Sequence, residues 1–419
     1  MTPLRRNRDF VLLQIGQGLS VLGSTSTNIA YPLLVLSETH SPAKAGVVAF
    51  ANVLPYPLFA LFAGVVADRV DRRRLMISMD VVRALAMASI VAGLAADLLT
   101  FWQVAAIAFI EGTAFVFFNI AEVGALRSVV PARQLPAAAA AEQSRYAAVT
   151  LVGPSLGGAL FGLGRALPFL VDAISYVFSI VTLAWMRTPF QETRERDRAP
   201  IRAQMREGIS WLWSNPYLRT TALIFAAGNF AFSGLFLVFI VVAKEHGLSS
   251  AAIGLLIGIF GIASLAGSLA APRVTRRFSM RTIMYGNEWL GAAIILCAIA
   301  PGPYVLLACV LPIAFVGPSL NSVVIGYRTA ITPDHLVGRV SSVARTLAQL
   351  ASPLGPLVAG FLLATSSAET TMLVLGGITV AVAVWTTASP SIRNAPSLSD
   401  LDDDPSLPAP HAAPATMEA

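Results

Sequence analysis

The stretch GVVADRVDRRRL, residues 64–75, sets six charged side chains (Asp68, Arg69, Asp71, Arg72, Arg73 and Arg74) between two long apolar runs, 43–66 and 74–96. A run of roughly 20 apolar residues matches the hydrocarbon thickness of a bilayer in helical form. Such a charged knot between two of them reads as a short loop at the membrane surface. The pattern then repeats along the chain in both directions.

Windows of about 19 residues bounded by charges, Pro and Gly place spans at 10–36, 43–66, 74–96, 101–126, 138–163 and 167–186. A second set falls at 218–243, 250–271, 281–299, 304–327, 338–364 and 370–388. The first is preceded by the basic segment Met1–Arg8, as in a signal peptide, but it carries Gln14 and Gln17 and runs too long for one. It is expected to be a retained span. The 419 residues are 56% hydrophobic and 12% charged, with a mean hydropathy of +0.70, which excludes a water-soluble fold of this length.

The basic residues set an orientation. With both termini in the cytoplasm, cytoplasmic segments collect about 23 of the 29 Lys and Arg, while the opposite side holds Lys44, Arg165 and Lys244. This asymmetry accounts for the net charge of +6 without a nucleic-acid partner, because the arginines lie in short loops. It points to the cytoplasmic (inner) membrane. Cys297 and Cys309 fall within apolar runs and the histidines in loops or the tail, so neither a disulfide framework nor a metal site is expected. No cofactor is expected either. The lack of a nucleotide loop, an HExxH pair or a mid-span His argues against a membrane-embedded enzyme.

The halves echo one another. Pro131, Gly153-Pro154 and Gly158 recur as Pro333, Gly355-Pro356 and Gly360, a shift of 202 positions. The pattern Arg69-Val70-x-Arg72-Arg73 recurs as Arg273-Val274-x-Arg276-Arg277, a shift of 204. A duplicated six-helix unit with a substrate path between its copies is the economical interpretation. The expected organisation is a bundle over 1–186, a cytoplasmic linker over 187–216, a second bundle over 217–388 and a disordered tail over 389–419. In the linker Ile201, Met205, Ile209, Leu212 and Trp213 recur at helical spacing, the pattern of an amphipathic interfacial tether.

The 64–75 loop resembles the signature loop of the major facilitator superfamily. Further likeness, to drug and siderophore exporters similar to the enterobactin exporter and macrolide-efflux proteins, runs to about Arg393 through FVLLQIGQGLSVLG, DRVDRRRLMISMDVVRAL, VGPSLGGAL, FLVDAISYVFS and EGISWLWSNPYLR. The resemblance implies an all-α membrane protein of twelve helices in two pseudo-symmetric bundles. It implies a monomeric secondary transporter that exports a small amphiphilic molecule by alternating access, with protons as the coupling partner. Gly64, Asp68, Arg69, Arg72 and Arg73 would form a cytoplasmic latch facing the start of span 11, where a helix N-terminus favours an anion. Two departures stand out: Ser24 follows Gly23 where many relatives carry an acid, and Ala108 stands where many proton antiporters place an arginine.

Charged residues inside spans persist where they face a cavity or a partner. Glu111 sits near the middle of span 4, with Asn119 and Glu122 on the same helical face. Three roles are open to it: proton carrier, contact for a cationic substrate, or structural acceptor. Glu122 is expected to partner the Arg69–Arg73 loop. Asp80 and Arg83, three residues apart, are expected to pair as a network or a gate, and Glu142 with Arg145 likewise. Asp172 is expected to bond a polar neighbour helix, and Arg345 is left open between gating and structure. Gly153, Pro154, Gly158, Gly355, Pro356 and Gly360 mark either flexing points or close helix packing. The superfamily places spans 1, 4, 7 and 10 around the cavity. Asn28, Tyr31, Phe115, Asn119, Asn229, Phe232, Phe236, Phe315 and Asn321 are therefore expected to line it, an aromatic wall suited to an amphiphile. An importer on the same fold and a non-transporting sensor are the rivals.

Overall fold

The computed structural model describes residues 4–190 and 201–395, and all regular structure among them is helical. The first half comprises α1 (Arg8–Thr39), α2 (Pro42–Val53), α3 (Pro55–Arg69), α4 (Arg72–Ala95), α5 (Phe101–Val129), α6 (Leu135–Leu163) and α7 (Leu167–Trp185). After α8 (Ile201–Ser214) come α9 (Pro216–Glu245), α10 (Ser250–Arg277), α11 (Met280–Ala292), α12 (Pro303–Ile331), α13 (Asp334–Leu350), α14 (Leu354–Thr365), α15 (Ala368–Ala388) and α16 (Pro390–Arg393). Local sequence explains many of the starts. Ser41, Asp71, Thr100, Asn215, Ser249, Ser279 and Ser367 each accept a backbone N–H of the first turn, and Pro42 and Pro216 occupy first-turn positions that need no donor.

Eleven helical stretches among the described residues are long and apolar enough to cross a membrane. The twelfth expected span, 281–299, is α11 continued by a 3₁₀ segment, Ala293–Ala298, and falls short of those criteria. Two spans are interrupted. Pro55 divides α2 from α3, and residues 351–353 divide α13 from α14. Prolines lack the N–H that a continuous helix needs. The break in α13–α14 frees backbone carbonyls, and α9 takes them up: Asn229 Nδ2 donates to Ala348 O at 2.9 Å and Ser233 Oγ to Ser352 O at 2.7 Å.

Helices α1–α7 pack on one another, as do α9–α15, while α10 also packs extensively on α6. The halves meet mainly through two pairs, α2 with α14 and α6 with α10, and more lightly where α9 approaches α1 and α2. Small residues allow this approach: Gly46 abuts the backbone of Pro356 and Gly360, and Gly158 abuts that of Ser250 and Gly254. Since α1 starts at Arg8 beside the described N-terminus and ends at Thr39, these contacts lie toward the face opposite the termini. On the terminal face α3 and α13 approach one another. The expected alternatives for the Gly-Pro motifs therefore meet a concrete observation. Gly153 packs on Thr25, Gly158 and Gly360 form the seam between halves, and Gly355 packs on Phe230 and Ser233. Helix α6 runs unbroken through Pro154, whereas its counterpart breaks just before Gly355-Pro356.

The α8 face that packs on protein is Gly208, Trp211 and Leu212, against α13 and α9, with Glu207 paired to Arg339. Ile209 and Trp213, a third of a turn from the Gly208–Leu212 line, are 43% and 46% exposed. One expectation needs correction here. The segment expected to be a disordered tail begins folded: α16 packs on α9, Ile392 is fully buried, and Arg281 holds the carbonyl of Ala395 at 2.8 Å. Residues 191–200 of the linker and 396–419 of the tail lie outside the described residues.

Candidate functional site

Asp80 and Arg83 lie one turn apart on α4, and their side chains meet at 3.4 Å, as their spacing requires. Arg83 then reaches across the bundle. Its Nη2 donates to Glu111 Oε1 of α5 at 3.1 Å and to Ser24 Oγ of α1 at 2.8 Å, and its guanidinium lies 4.1 Å from the ring centre of Tyr176 of α7. Phe115 and Phe118 flank it at 5.6 and 5.9 Å. Tyr176 Oη sits 3.1 Å from Asp172 Oδ2 and 3.3 Å from Glu111 Oε1, so its single proton can serve either acid. Thr27 donates to Asp172 at 2.9 Å, and Asn52, beside the α2–α3 interruption, donates to Glu111 at 2.8 Å. Arg83 is 2% exposed, Glu111 4%, and Asp80 and Asp172 are fully buried.

One guanidinium thus faces three carboxyl groups on three helices. Asp172 carries more than the structural bond expected of it, since Tyr176 joins it to Glu111. Ser24, the departure noted in the first span and midway along α1, is the hydroxyl that receives Arg83. Asp80 Oδ2 and Arg83 Nε are buried without a partner among the described residues.

Glu122 belongs elsewhere. It accepts from Arg145 of α6 at 2.9 Å, with Glu142 3.9 Å from the same guanidinium, rather than meeting the Arg69–Arg73 loop as expected. The loop arginines are taken up by backbone carbonyls instead. Arg73 donates to Thr188 O at 2.6 Å and lies over Phe190, and Arg72 donates to Phe190 O at 3.3 Å and Ala67 O at 3.3 Å. Arg72 also pairs with Asp68 at 3.1 Å; Asp68 is exposed, as is Arg69. Gly64 faces open space. Arg345 is exposed on α13.

Of the residues expected to line a cavity, Asn229, Phe232 and Asn321 do so together. They border a space of about 180 Å³ between α9, α11, α12 and α15, with Asn287, Glu288 and Thr379. Phe236 and Phe315 are not among its lining residues: Phe236 packs into the core, and the Phe315 backbone is pressed against Gly267 of α10. Tyr31 is a correction too. It is 2% exposed, stacks edge-on against Phe169 and points its hydroxyl at Met87, because it lies one turn beyond Thr27 on the face that meets α7. Asn28 is exposed, and Asn119 half-buried. Glu288 had no place in the sequence-based expectations. An ionisable residue within a span was the available signal.

Two packed helical bundles with a buried charge network in one and a polar cavity in the other define a multi-pass membrane transporter. The profile of the family MFS_3, described as transmembrane secretion effectors, matches residues 1–415, and the chain belongs to this family of major facilitator transporters. It is 27% identical over 364 residues to the multidrug efflux pump Tap of Mycolicibacterium fortuitum, covering 84% of this chain and 88% of that protein. Macrolide efflux protein A of Streptococcus pyogenes is 22% identical over 399 residues, covering 90% and 94%. Among solved structures, a bacterial homologue of the lysosomal transporter Spinster, inward-facing and occupied, superimposes with a TM-score of 0.74 at 13% identity, covering 94% of this chain and 98% of that one. A bacterial homologue of ferroportin, inward-facing, gives 0.70 at 16% identity, covering 92% and 99%. These establish the fold expected from the sequence. The family is one of membrane transporters, not enzymes.

Proposed function

We propose that this transporter exports small amphiphilic organic molecules of the drug or macrolide class across the cytoplasmic membrane, in exchange for protons that enter through the Arg83 cluster. The efflux relatives support the cargo class and the direction. The terminal face is the cytoplasmic one on this reading, because it carries most of the Lys and Arg. The seam of Gly46, Gly158, Gly254 and Gly360 then closes the outer side, and rocking of the halves against one another opens it in turn.

The observation that carries proton coupling is the charge balance. Asp80, Glu111 and Asp172 with Arg83 give a formal charge of −2 if all are ionised, in a site with almost no water contact. Uncompensated buried charge costs several kcal/mol, so the site favours bound protons. Tyr176 offers a route between Glu111 and Asp172. Glu111 is the group expected to exchange with solvent, since Asn52 ties it to the α2–α3 interruption, which moves with the seam. The Asp68–Arg72 loop acts as the inner latch, and the protein works as a monomer.

Uptake of a macrolide into everted vesicles under an imposed pH gradient tests this. The wild type accumulates it and collapses with a protonophore. Glu111→Gln retains binding and loses gradient-driven uptake. Unchanged gradient dependence in that variant removes Glu111 from coupling.

A further inference from the structure

The half formed by α9–α15 contains a carboxylate that the Arg83 network does not use. Glu288 lies eight residues into α11, about 12 Å along the helix from its terminal-face end, and so close to the middle of a ~30 Å hydrocarbon layer. It borders the 180 Å³ cavity. Among the described residues no Lys or Arg comes within 4.0 Å of it, and the hydrogen bond it receives is from Asn287 Nδ2 at 3.2 Å. The side-chain Oδ1 of Asn287 is buried without a hydrogen-bond partner among the described residues. Asn287 stands 204 positions after Arg83, the same shift that relates the two arginine loops. Where the first half supplies its own guanidinium, the lining of this cavity has one acid and several neutral acceptors but no Lys or Arg among the described residues.

The space beside Glu288 exists because glycines frame it. Gly228 of α9, Gly291 of α11 and Gly317 of α12 all border the cavity, and a Cβ on any of them would meet nothing within 4 Å. Phe225 and Phe232 share the lining with the carboxylate, and Asn229, Asn287, Asn321 and Thr379 are its other polar side chains. A lone carboxylate in an apolar, aromatic surrounding attracts a weakly hydrated organic cation twice over, through its charge and through the ring faces. A metal ion would need several oxygen ligands, and no group of three His, Cys, Asp or Glu placed to hold one occurs among the described residues.

We infer that this cavity is a binding site for amphiphilic organic monocations, compact aromatic ammonium compounds, with Glu288 as the counter-ion. The inference rests on the transporter reading and adds to it a substrate class and a site in the second half. Guest cation and Glu288 form the ion pair that the fold leaves incomplete. The Arg83 cluster, whose acids already hold a guanidinium, is left to protons.

Equilibrium binding to the purified full chain in nanodiscs tests the site without requiring transport. The probes are benzyltrimethylammonium and its neutral isostere 2,2-dimethyl-1-phenylpropane. The wild type is expected to bind the cation at least tenfold more tightly than the isostere. Glu288→Gln loses that preference and leaves the isostere unchanged, and Glu288→Asp keeps most of it. Gly317→Leu, which fills open space, weakens both probes. Equal cation affinity in wild type and Glu288→Gln overturns the inference, and so does a wild type that does not prefer the cation. Failure of everted vesicles to accumulate any compound, with cation binding intact, would refute the export reading alone.

Discussion

Adding one methyl group at Gly158 should unlock the seam between the halves. A Cβ built there lies 2.9 Å from Gly254 Cα and closer still to the Ser250 carbonyl oxygen, both backbone atoms of α10 that cannot rotate aside. Forcing an extra carbon into a packed contact costs about 1–3 kcal/mol. The helix-propensity gain of Gly→Ala, about 1 kcal/mol, applies whether the seam is open or closed and cancels from their ratio. The closed population should therefore fall by about 5- to 150-fold relative to the open one. Gly162→Ala is the matched control, since one turn on along α6 the nearest atom to a new Cβ is Ala251 N at 3.9 Å. Spin labels at positions 163 and 246, in a background lacking Cys297 and Cys309, report the separation of the halves on that face by pulsed electron resonance. Gly158→Ala should populate a longer distance and Gly162→Ala should match the parent. A distribution unchanged by Gly158→Ala, or shifted equally by both, would refute the claim that this contact holds the outer side shut.

Other perturbations have sharp outcomes as well. Glu122→Leu leaves the Arg145 guanidinium with only the more distant Glu142 and should cost up to about 3 kcal/mol of stability, much of it recovered by adding Arg145→Leu, as read from denaturant titration of the two single variants and the double. Asn229→Leu leaves the Ala348 carbonyl without its donor and should lower stability by about 1–3 kcal/mol, seen as a drop in Tm. Arg165→Ala breaks an exposed pair with Glu38 and should change Tm by no more than about 1 kcal/mol implies.

The sequence carried the architecture because the bilayer makes hydropathy a nearly complete code: every backbone group must be satisfied within a helix, so span length and loop charge leave few alternatives. The Asp80–Arg83 pair was legible for the same reason, being local to one helix. What closes the site is not local. Glu111, Asp172 and Ser24 come to Arg83 from three other helices, and no periodicity within α5, α7 or α1 announces that meeting. Glu122 shows the converse error: its place on the Glu111 face was visible, but which of two basic neighbours it meets depends on where α6 packs. Tyr31 was read as lining because aromatic residues in a cavity helix look alike from sequence, whichever way the helix is turned. Glu288 lacks a cation three or four residues away and belongs to no motif, so only the rarity of a mid-span carboxylate marked it. The Gly-Pro motifs left two roles open, and the backbone contacts at Gly158 and Gly360 supply the packing role, with the break at 351–353 appearing in one half alone.

The claim that organic cargo leaves in exchange for protons is tested most directly in liposomes that contain only the purified protein. The lumen holds the dye pyranine and an exported compound without a titratable group, so the cargo itself moves no protons. On dilution, outward cargo flow through the wild type should acidify the lumen, and Glu111→Gln should abolish the acidification. Cargo efflux with no change in luminal pH would contradict the account.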